Sequence, residues 1–294
     1  MIKLETCPVC KNSSFSEYLE CKDHFLTRET FLIVECNSCH FRFTNPRPKE
    51  ENNAAYYKSQ EYISHSNVKG GLLNSLYHNV RNYTITRKYK IVNRYASGNK
   101  ILDIGCGTGQ LLHHFKNKGW DTMGIEPDEG ARKFAIDNYH LQITDLGSLI
   151  SSGKYKFDVI MMWHVLEHVN QLDEYLQKIK SILHENGTFI VAVPNSNSWD
   201  AGHYKSNWAA YDVPRHLYHF DQGSINNLME QHMFKLEKTI PMKFDAYYIS
   251  LLSEKYRTGK ENFFKGFWNG FYSNSYACLN QKNYSSLIFI YKIK

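Results

Sequence analysis

The sequence predicts an α/β fold, a mostly parallel sheet with helices on both faces, preceded by a small four-cysteine module. Three observations predict it. A glycine-rich turn, "DIGCGTG" at 103–109, joins an apolar strand-like run to a helix-like stripe. From residue 100 onward strand-like and helix-like periods alternate, the pattern of βα units. Ahead of them stand two pairs of cysteines, Cys7 with Cys10 and Cys36 with Cys39. A chain of 294 residues can build one large core and one accessory module. Its 42% hydrophobic and 22% charged residues are those of an ordinary folded protein.

The cysteine pairs come first. Each has the Cys-x2-Cys spacing that presents two thiolates on a tight turn, and two such knuckles complete a tetrahedral Zn²⁺ site. Between them "SFSEYLE" and "TFLIVEC" read as short alternating strands, which makes residues 1–45 a zinc ribbon. So small a segment cannot bury enough apolar surface alone, and the metal would supply the missing stability. Four thiolates leave no open position, so the zinc is expected to be structural. A redox Cys-x-x-Cys is the competing reading, disfavoured by the second pair and the lack of a βαβ context. Cys21 and His40 are spare neighbours, and His40 is the alternative to Cys39 as ligand. The prolines of "NPRPKEENN" then mark a linker.

Residues 46–95 form the predicted helical linker or lid. From Ala54 to Tyr95 the pattern is helical, with Leu72, Leu73, Leu76, Tyr77 and Val80 on one face. Its basic stretch "RNYTITRKYKIVNR" reads as a solvated face in preference to a nucleic-acid contact.

Residues 96–294 carry the main domain. Ile101, Leu102 and Ile104 end a buried strand, and Leu111, Leu112 and Phe115 give the following helix its core stripe. Gly105, Gly107 and Gly109 let the backbone between them turn sharply and approach a ligand. The next strand, in "WDTMGIEPD", ends at Glu126, whose carboxylate can accept from both hydroxyls of a ribose. A lone glycine loop also occurs in nucleotide dehydrogenases, but here the spacing is G-x-G-x-G with Asp103 two residues ahead.

This arrangement resembles the class I S-adenosylmethionine-dependent methyltransferases, whose first motif is [DE]-x-G-x-G-x-G. The resemblance covers roughly residues 95–294 and implies a Rossmann-like seven-stranded sheet with S-adenosylmethionine as cofactor. It implies that Asp103, Gly105, Cys106, Gly107 and Gly109 form the cofactor turn, that Glu126 with Pro127 beside it takes the ribose, and that Asp145 stands at the adenine edge. "KFDVIMMWHVLEHV" is then the fourth strand running into a helix, and "LHENGTFIVAVPN" a helix end, a turn and the fifth strand. "FKLEKTI" and "SSLIFIYKIK" are the last two strands.

His164, Glu167 and His168 also spell H-x-x-E-H, the zinc-site signature of inverted zinc proteases. Such a site needs both histidines inside one continuous helix. The apolar run "FDVIMMW" leaves no room for helix before His164, and no third ligand shows in a matching downstream pattern. The peptidase reading is rejected. Val165, Val169, Leu172, Leu176, Ile179 and Leu183 keep helical time, which predicts His164 and His168 in the first turns.

The carboxyl ends of parallel strands face the ligand cleft, so Trp163 and His164 are expected near the reacting methyl. A helix N-terminus disfavours imidazolium, which would leave His164 or His168 neutral and able to act as a base. The alternative is that both only hydrogen-bond to backbone and substrate.

The segment "NWAAYDVPRHLYHFDQGS" (207–224) is predicted to form an apolar wall with polar tips over the cleft. It resembles a stretch of zinc-containing sugar C-methyltransferases, Y-x-E-H-L-x-Y-F, which carries their proposed base. His216, Leu217 and Phe220 match, His219 falls at the second tyrosine, and Val213 and Arg215 replace the first tyrosine and the glutamate. Bacterial methyltransferase-like proteins linked to cell-surface glycan synthesis share the knuckles and "PRHLYHF". The resemblance makes His216 a candidate base or substrate clamp, and Arg215 suggests an anionic acceptor such as a nucleotide-sugar phosphate.

The expected function is methyl transfer to a small molecule, with a sugar or glycan precursor as the acceptor class. An RNA methyltransferase is the second reading; a net charge of +6 only weakly favours a polyanion, and no long basic stripe supports it. Ubiquinone-type O-methyltransferases share the "VLEHV" helix, and a non-catalytic cofactor- or partner-binding module is the third class. No apolar run reaches signal-peptide or membrane-span length, and the seven cysteines are odd in number, so a reducing cytoplasm is expected.

Overall fold

The alternating apolar and polar residues at the start of the chain form strands β1 (Phe15–Lys22), β2 (Thr30–Cys36) and β3 (Arg42–Thr44), paired antiparallel in that order. Their inner residues Phe31, Ile33, Val34 and Phe43 are buried. The computed structural model describes residues 1–57, 72–153 and 155–294, with backbone alone at residues 54 and 72–79. The expected helix from Ala54 is a 3-10 turn over Glu50–Tyr56 and an α-helix over Leu72–Tyr95. The remainder of that expectation, with the side chains of Leu72, Leu73, Leu76 and Tyr77, lies outside the described residues. The helix ends against the main core, where Val92 is buried and the Tyr89 ring stands 5.2 Å from that of Phe115.

The near-continuous apolar runs become strands covered on both faces, as parallel sheets require. They are β4 (Lys100–Ile104), β5 (Asp121–Ile125), β6 (Gln142–Thr144), β7 (Phe157–Trp163) and β8 (Leu183–Pro194), all paired in parallel. A two-residue strand, β9 (Tyr218–His219), precedes β10 (Phe234–Pro241) and β11 (Ser286–Ile293). The seven-stranded sheet runs β10-β11-β8-β7-β4-β5-β6, with β11 antiparallel to both neighbours. Strand order reverses beside β4: the chain continues to β5 on one side and later returns to β7 on the other. Such a switch point opens a crevice beyond the strands' carboxyl ends. The glycine turn after β4 and the histidine turn after β7 meet there.

Two differences from the sequence reading concern the site. First, β9 joins the N-terminal sheet, pairing with β3 through Arg42–His219 and Phe43–Tyr218. The ribbon sheet is therefore completed by the main domain. Second, the predicted helix from His164 to Leu183 is broken. Leu166–His168 is a single 3-10 turn, Val169 is extended, and the α-helix spans Leu172–Ile182. His164 itself takes a left-handed φ of 57°, a conformation no helix continues through. Among the described residues no helix is long and apolar enough to cross a membrane.

Candidate active site

The turn after β4 is tied to β5 by its own backbone. The amides of Gly105 and Cys106 both donate to Ile125 O, at 2.7 and 3.1 Å. The amide of Gly107 donates to one oxygen of Glu126 at 2.7 Å, and Asp128 N to the other at 2.8 Å. These donors fix the carboxylate and leave its remaining lone pairs for a ligand. Pro127, exposed, forms the short link that lets the Asp128 amide reach it. Cys106 lies against Gly124, where a β-carbon would sit 2.7 Å from its sulfur.

The three glycines of the turn differ in what they face. All have positive φ: 75° at Gly105, 55° at Gly107 and 76° at Gly109. A β-carbon at Gly105 would meet Val165, and one at Gly109 would meet Leu141 and Ala135. At Gly107 nothing lies within 4 Å. Only this glycine borders open space, as a backbone approached by a ligand must.

Asp103 stands at the base of the turn, buried, with Oδ1 accepting no hydrogen bond among the described residues. Burial pushes its carboxyl up to about 7, against the pull of Lys88. The Asp103 carboxyl, with one oxygen unpartnered among the described residues, and the anchored Glu126 carboxylate stand on either side of the open glycine. That donor and acceptor set fits a ligand with an ammonium at one end and a vicinal diol further along, as S-adenosylmethionine has.

Asp145 follows β6 and is exposed; its carboxylate caps the helix Leu146–Ser151 through Ser148 N at 2.8 Å and Ser148 Oγ at 2.6 Å. Those bonds hold its pKa down. Trp163, at the end of β7, donates from Nε1 to Met161 Sδ at 3.1 Å, and Lys88 Nζ stands 4.2 Å from its ring centroid.

The histidine turn follows at once. His164 lies between two carboxylates, Nε2 3.1 Å from Asp245 and Nδ1 3.5 Å from Glu167. Burial opposes its cation, but the two carboxylates outweigh that and raise its pKa to about 9. The expectation of a neutral His164 base is thus corrected: with no helix starting there, the acids decide. His168 goes the other way, lowered to about 4 by burial and by the neighbouring His216. Its Nδ1–H donates to Arg215 O at 3.0 Å, with the Tyr57 hydroxyl also at 3.0 Å. His216 donates from Nδ1 to Ala210 O at 2.8 Å, and its ring lies edge-on to that of His168 with centroids 4.6 Å apart. The loop bearing His216 is held by Leu217 N donating to Glu167 O at 2.8 Å.

Two expectations for the 207–224 segment change. Arg215 is not free for an anionic acceptor. Its guanidinium is buried between Asp23 at 2.9 Å and Asp212 at 2.6 Å and also donates to Tyr56 O. Trp208, Tyr211 and Val213 do not wall a cleft. They are buried in one cluster with Cys21, Phe31 and Ile33 of the ribbon sheet.

The four cysteines do converge. Cys7 and Cys39 sulfurs are 3.6 Å apart, those of Cys10 and Cys36 3.4 Å, and all four lie within 4.8 Å of one another. Tetrahedral Zn–S bonds put sulfurs about 3.8 Å apart, so the cluster fits zinc. His40 is turned away, towards Glu35. Burial pushes the thiols of Cys7 and Cys39 up, so thiolates there need a compensating cation.

Sequence reasoning missed Lys88, Asp245 and Tyr57. Each lies outside the strand–turn motifs, and no local pattern marks residues that reach a site from a preceding helix or from the helix after β10.

A family described as a methyltransferase domain matches residues 78–239. The ubiquinone biosynthesis O-methyltransferase of Rhodopseudomonas palustris (strain BisB5) is 30% identical over 149 residues, 47% of this chain and 57% of that protein. That of Bradyrhizobium sp. (strain ORS 278) is 29% identical over 34% of this chain and 42% of its own length. The chain thus spans about half the length of the curated relatives it matches. Among solved structures, magnesium protoporphyrin IX methyltransferase from Synechocystis PCC 6803, with S-adenosylhomocysteine bound, has a TM-score of 0.52 at 13% identity. That match covers 84% of this chain and 100% of that one. A SAM-dependent methyltransferase from Archaeoglobus fulgidus has a TM-score of 0.50 at 18% identity, covering 72% and 94%. At such identities the likeness is one of fold.

Proposed function

This chain belongs to the methyltransferase-domain family, and from that premise we propose that it moves the methyl of S-adenosylmethionine to an oxygen or carbon of a sugar or glycan precursor. The observation that carries the reading is the seating of the histidine turn against the cofactor turn. Val165 fills the space beside Gly105, so the imidazole of His164 comes one residue before it, and the carboxylate of Glu167 and the imidazole of His168 two and three residues after it. Gly107 and Glu126 would hold the cofactor's sugar and backbone, and the carboxylate of Asp103 its ammonium end.

The sulfonium methyl is already activated, so the protein's part is alignment, exclusion of water and removal of the acceptor's proton. His168 and His216 are neighbours in a buried setting and are the candidate proton-handling groups. His164, paired with Asp245 and Glu167, would hold those two carboxylates in place beside the acceptor. With Arg215 engaged, recognition of an anionic group would fall to Lys88, the cation that stands over Trp163. Cys7, Cys10, Cys36 and Cys39 would hold a structural zinc.

A second acceptor class, a phenolic hydroxyl, is favoured by the similarity to ubiquinone biosynthesis O-methyltransferases. Transfer of labelled methyl from S-adenosylmethionine to a panel of nucleotide-linked sugars and dihydroxyphenols separates the two. Label in the sugars supports the proposal. Label in the phenols alone overturns it.

A further inference from the structure

Glu167 has no exposed surface, yet neither carboxylate oxygen accepts a hydrogen bond among the described residues. A buried carboxylate left this way is costly unless a cation completes it. Two imidazoles stand beside it. One ligand atom each from Glu167, His168 and His216 lies within 4.8 Å of the other two.

The outer contacts of these imidazoles decide which nitrogen is available. A backbone carbonyl can only accept, so Nδ1 of His168 carries its hydrogen towards Arg215 O and Nδ1 of His216 towards Ala210 O. Both rings therefore keep the Nε2 lone pair free. Carbonyl-oriented histidines of this kind are the usual supports of metal ligands. Two imidazoles and one carboxylate form a donor set for zinc and other first-row divalent ions, with coordination positions left open. The His164 ring, 3.5 Å from one Glu167 oxygen and held by Asp245 on its far side, offsets charge without completing the carboxylate's hydrogen bonds.

We infer that Glu167, His168 and His216 form a second metal site, separate from the four cysteines, that takes a divalent transition-metal ion. The sequence pattern H-x-x-E-H contributes two of the donors; the third comes from the loop before β9 and not from His164. The ion would sit in the turn after β7, whose Val165 abuts the cofactor turn. Resting on the methyl-transfer reading above, its open position would take an acceptor hydroxyl and lower that group's pKa. The hydroxyl proton then leaves to solvent, because the Nε2 lone pairs of His168 and His216 that would take it without the ion are bound to the ion. The oxygen bonds the methyl carbon while the electron pair of the C–S bond returns to sulfur, leaving S-adenosylhomocysteine.

Titration of the full chain with Co²⁺ tests the site, because thiolate and nitrogen–oxygen sites differ in spectrum. The expected result is two ions per chain. One gives the sulfur-to-cobalt charge-transfer band of the cysteines, the other only weak d–d bands. Glu167→Gln, close to isosteric, and His216→Ala should each lose the second ion and keep the charge-transfer band, which also reports that the fold is intact. Should His216→Ala lose that band as well, Glu167→Gln decides. A wild-type chain that binds only thiolate-held cobalt, or a Glu167→Gln chain that still binds both ions, overturns the inference. Binding of S-adenosylhomocysteine is read separately, so failure of the metal site and failure of the methyl-transfer reading are distinguishable.

Discussion

Arg215 shows what a single residue can be made to do by its partners. Its guanidinium is buried against Asp23 of the ribbon and Asp212 of its own loop, so it ties the ribbon to the loop that precedes β9. Burial alone would raise the Asp23 carboxyl, but Arg215 and the amides of Thr27 and Leu26 outweigh it and hold the pKa at about 2, below the ordinary 3.8. A carboxyl depressed in the folded state contributes stability above pH 3.8 and loses it as the pH falls through about 2. Replacing one partner of a buried pair costs about 3 kcal/mol. Urea unfolding of Asp23→Asn should therefore show a loss of that size at neutral pH, and the gap to the wild type should close through this acid range. The carboxyls beside the glycine turn were legible in the sequence because Asp103 and Glu126 stand at the ends of apolar strands. The role of Arg215 was not, because its partner lies in a different module and no pattern links them.

Among the elements, the strands around the switch point were readable. Runs such as "FDVIMMW" are apolar at successive positions because both faces of the sheet are covered, and β7 spans those residues. The break after it was not readable, since Val165, Val169 and Leu172 keep a helical period through a turn set by the backbone at His164. β9 has only two residues and carries no periodic signal. The cofactor turn gives a paired prediction. Gly109→Ala puts a β-carbon 2.5 Å from Leu141 at a positive φ, so it should destabilise the fold by about 2 kcal/mol or more. Gly107→Ala meets nothing, so only the left-handed φ costs stability, about 1–2 kcal/mol. It should nonetheless weaken cofactor binding, because its methyl enters the space the ligand needs. Thermal unfolding and ligand titration of both variants check the contrast; equal behaviour in both assays would contradict it.

At the scale of the whole molecule, the ribbon is not an appendage. Its sheet is completed by β9, and its core is shared with Trp208, Tyr211 and Val213 of the main domain. The convergence of the four cysteines was legible from spacing alone, whereas the attachment of their module beside the loop of His216 depends on contacts between distant segments. Stripping the thiolate-bound metal should therefore loosen both at once. Hydrogen exchange after chelation should speed at the amides of β3 and of Tyr218–His219 together. Faster exchange confined to the knuckles would contradict this coupling.

The central claim is that Gly107 and Glu126 cradle the sugar of S-adenosylmethionine, and calorimetry with S-adenosylhomocysteine tests it most directly. The account predicts one ligand bound per chain and at least a tenfold weaker affinity in Glu126→Ala, about 1.4 kcal/mol. No binding by the wild type, or equal affinity in the variant, would contradict it.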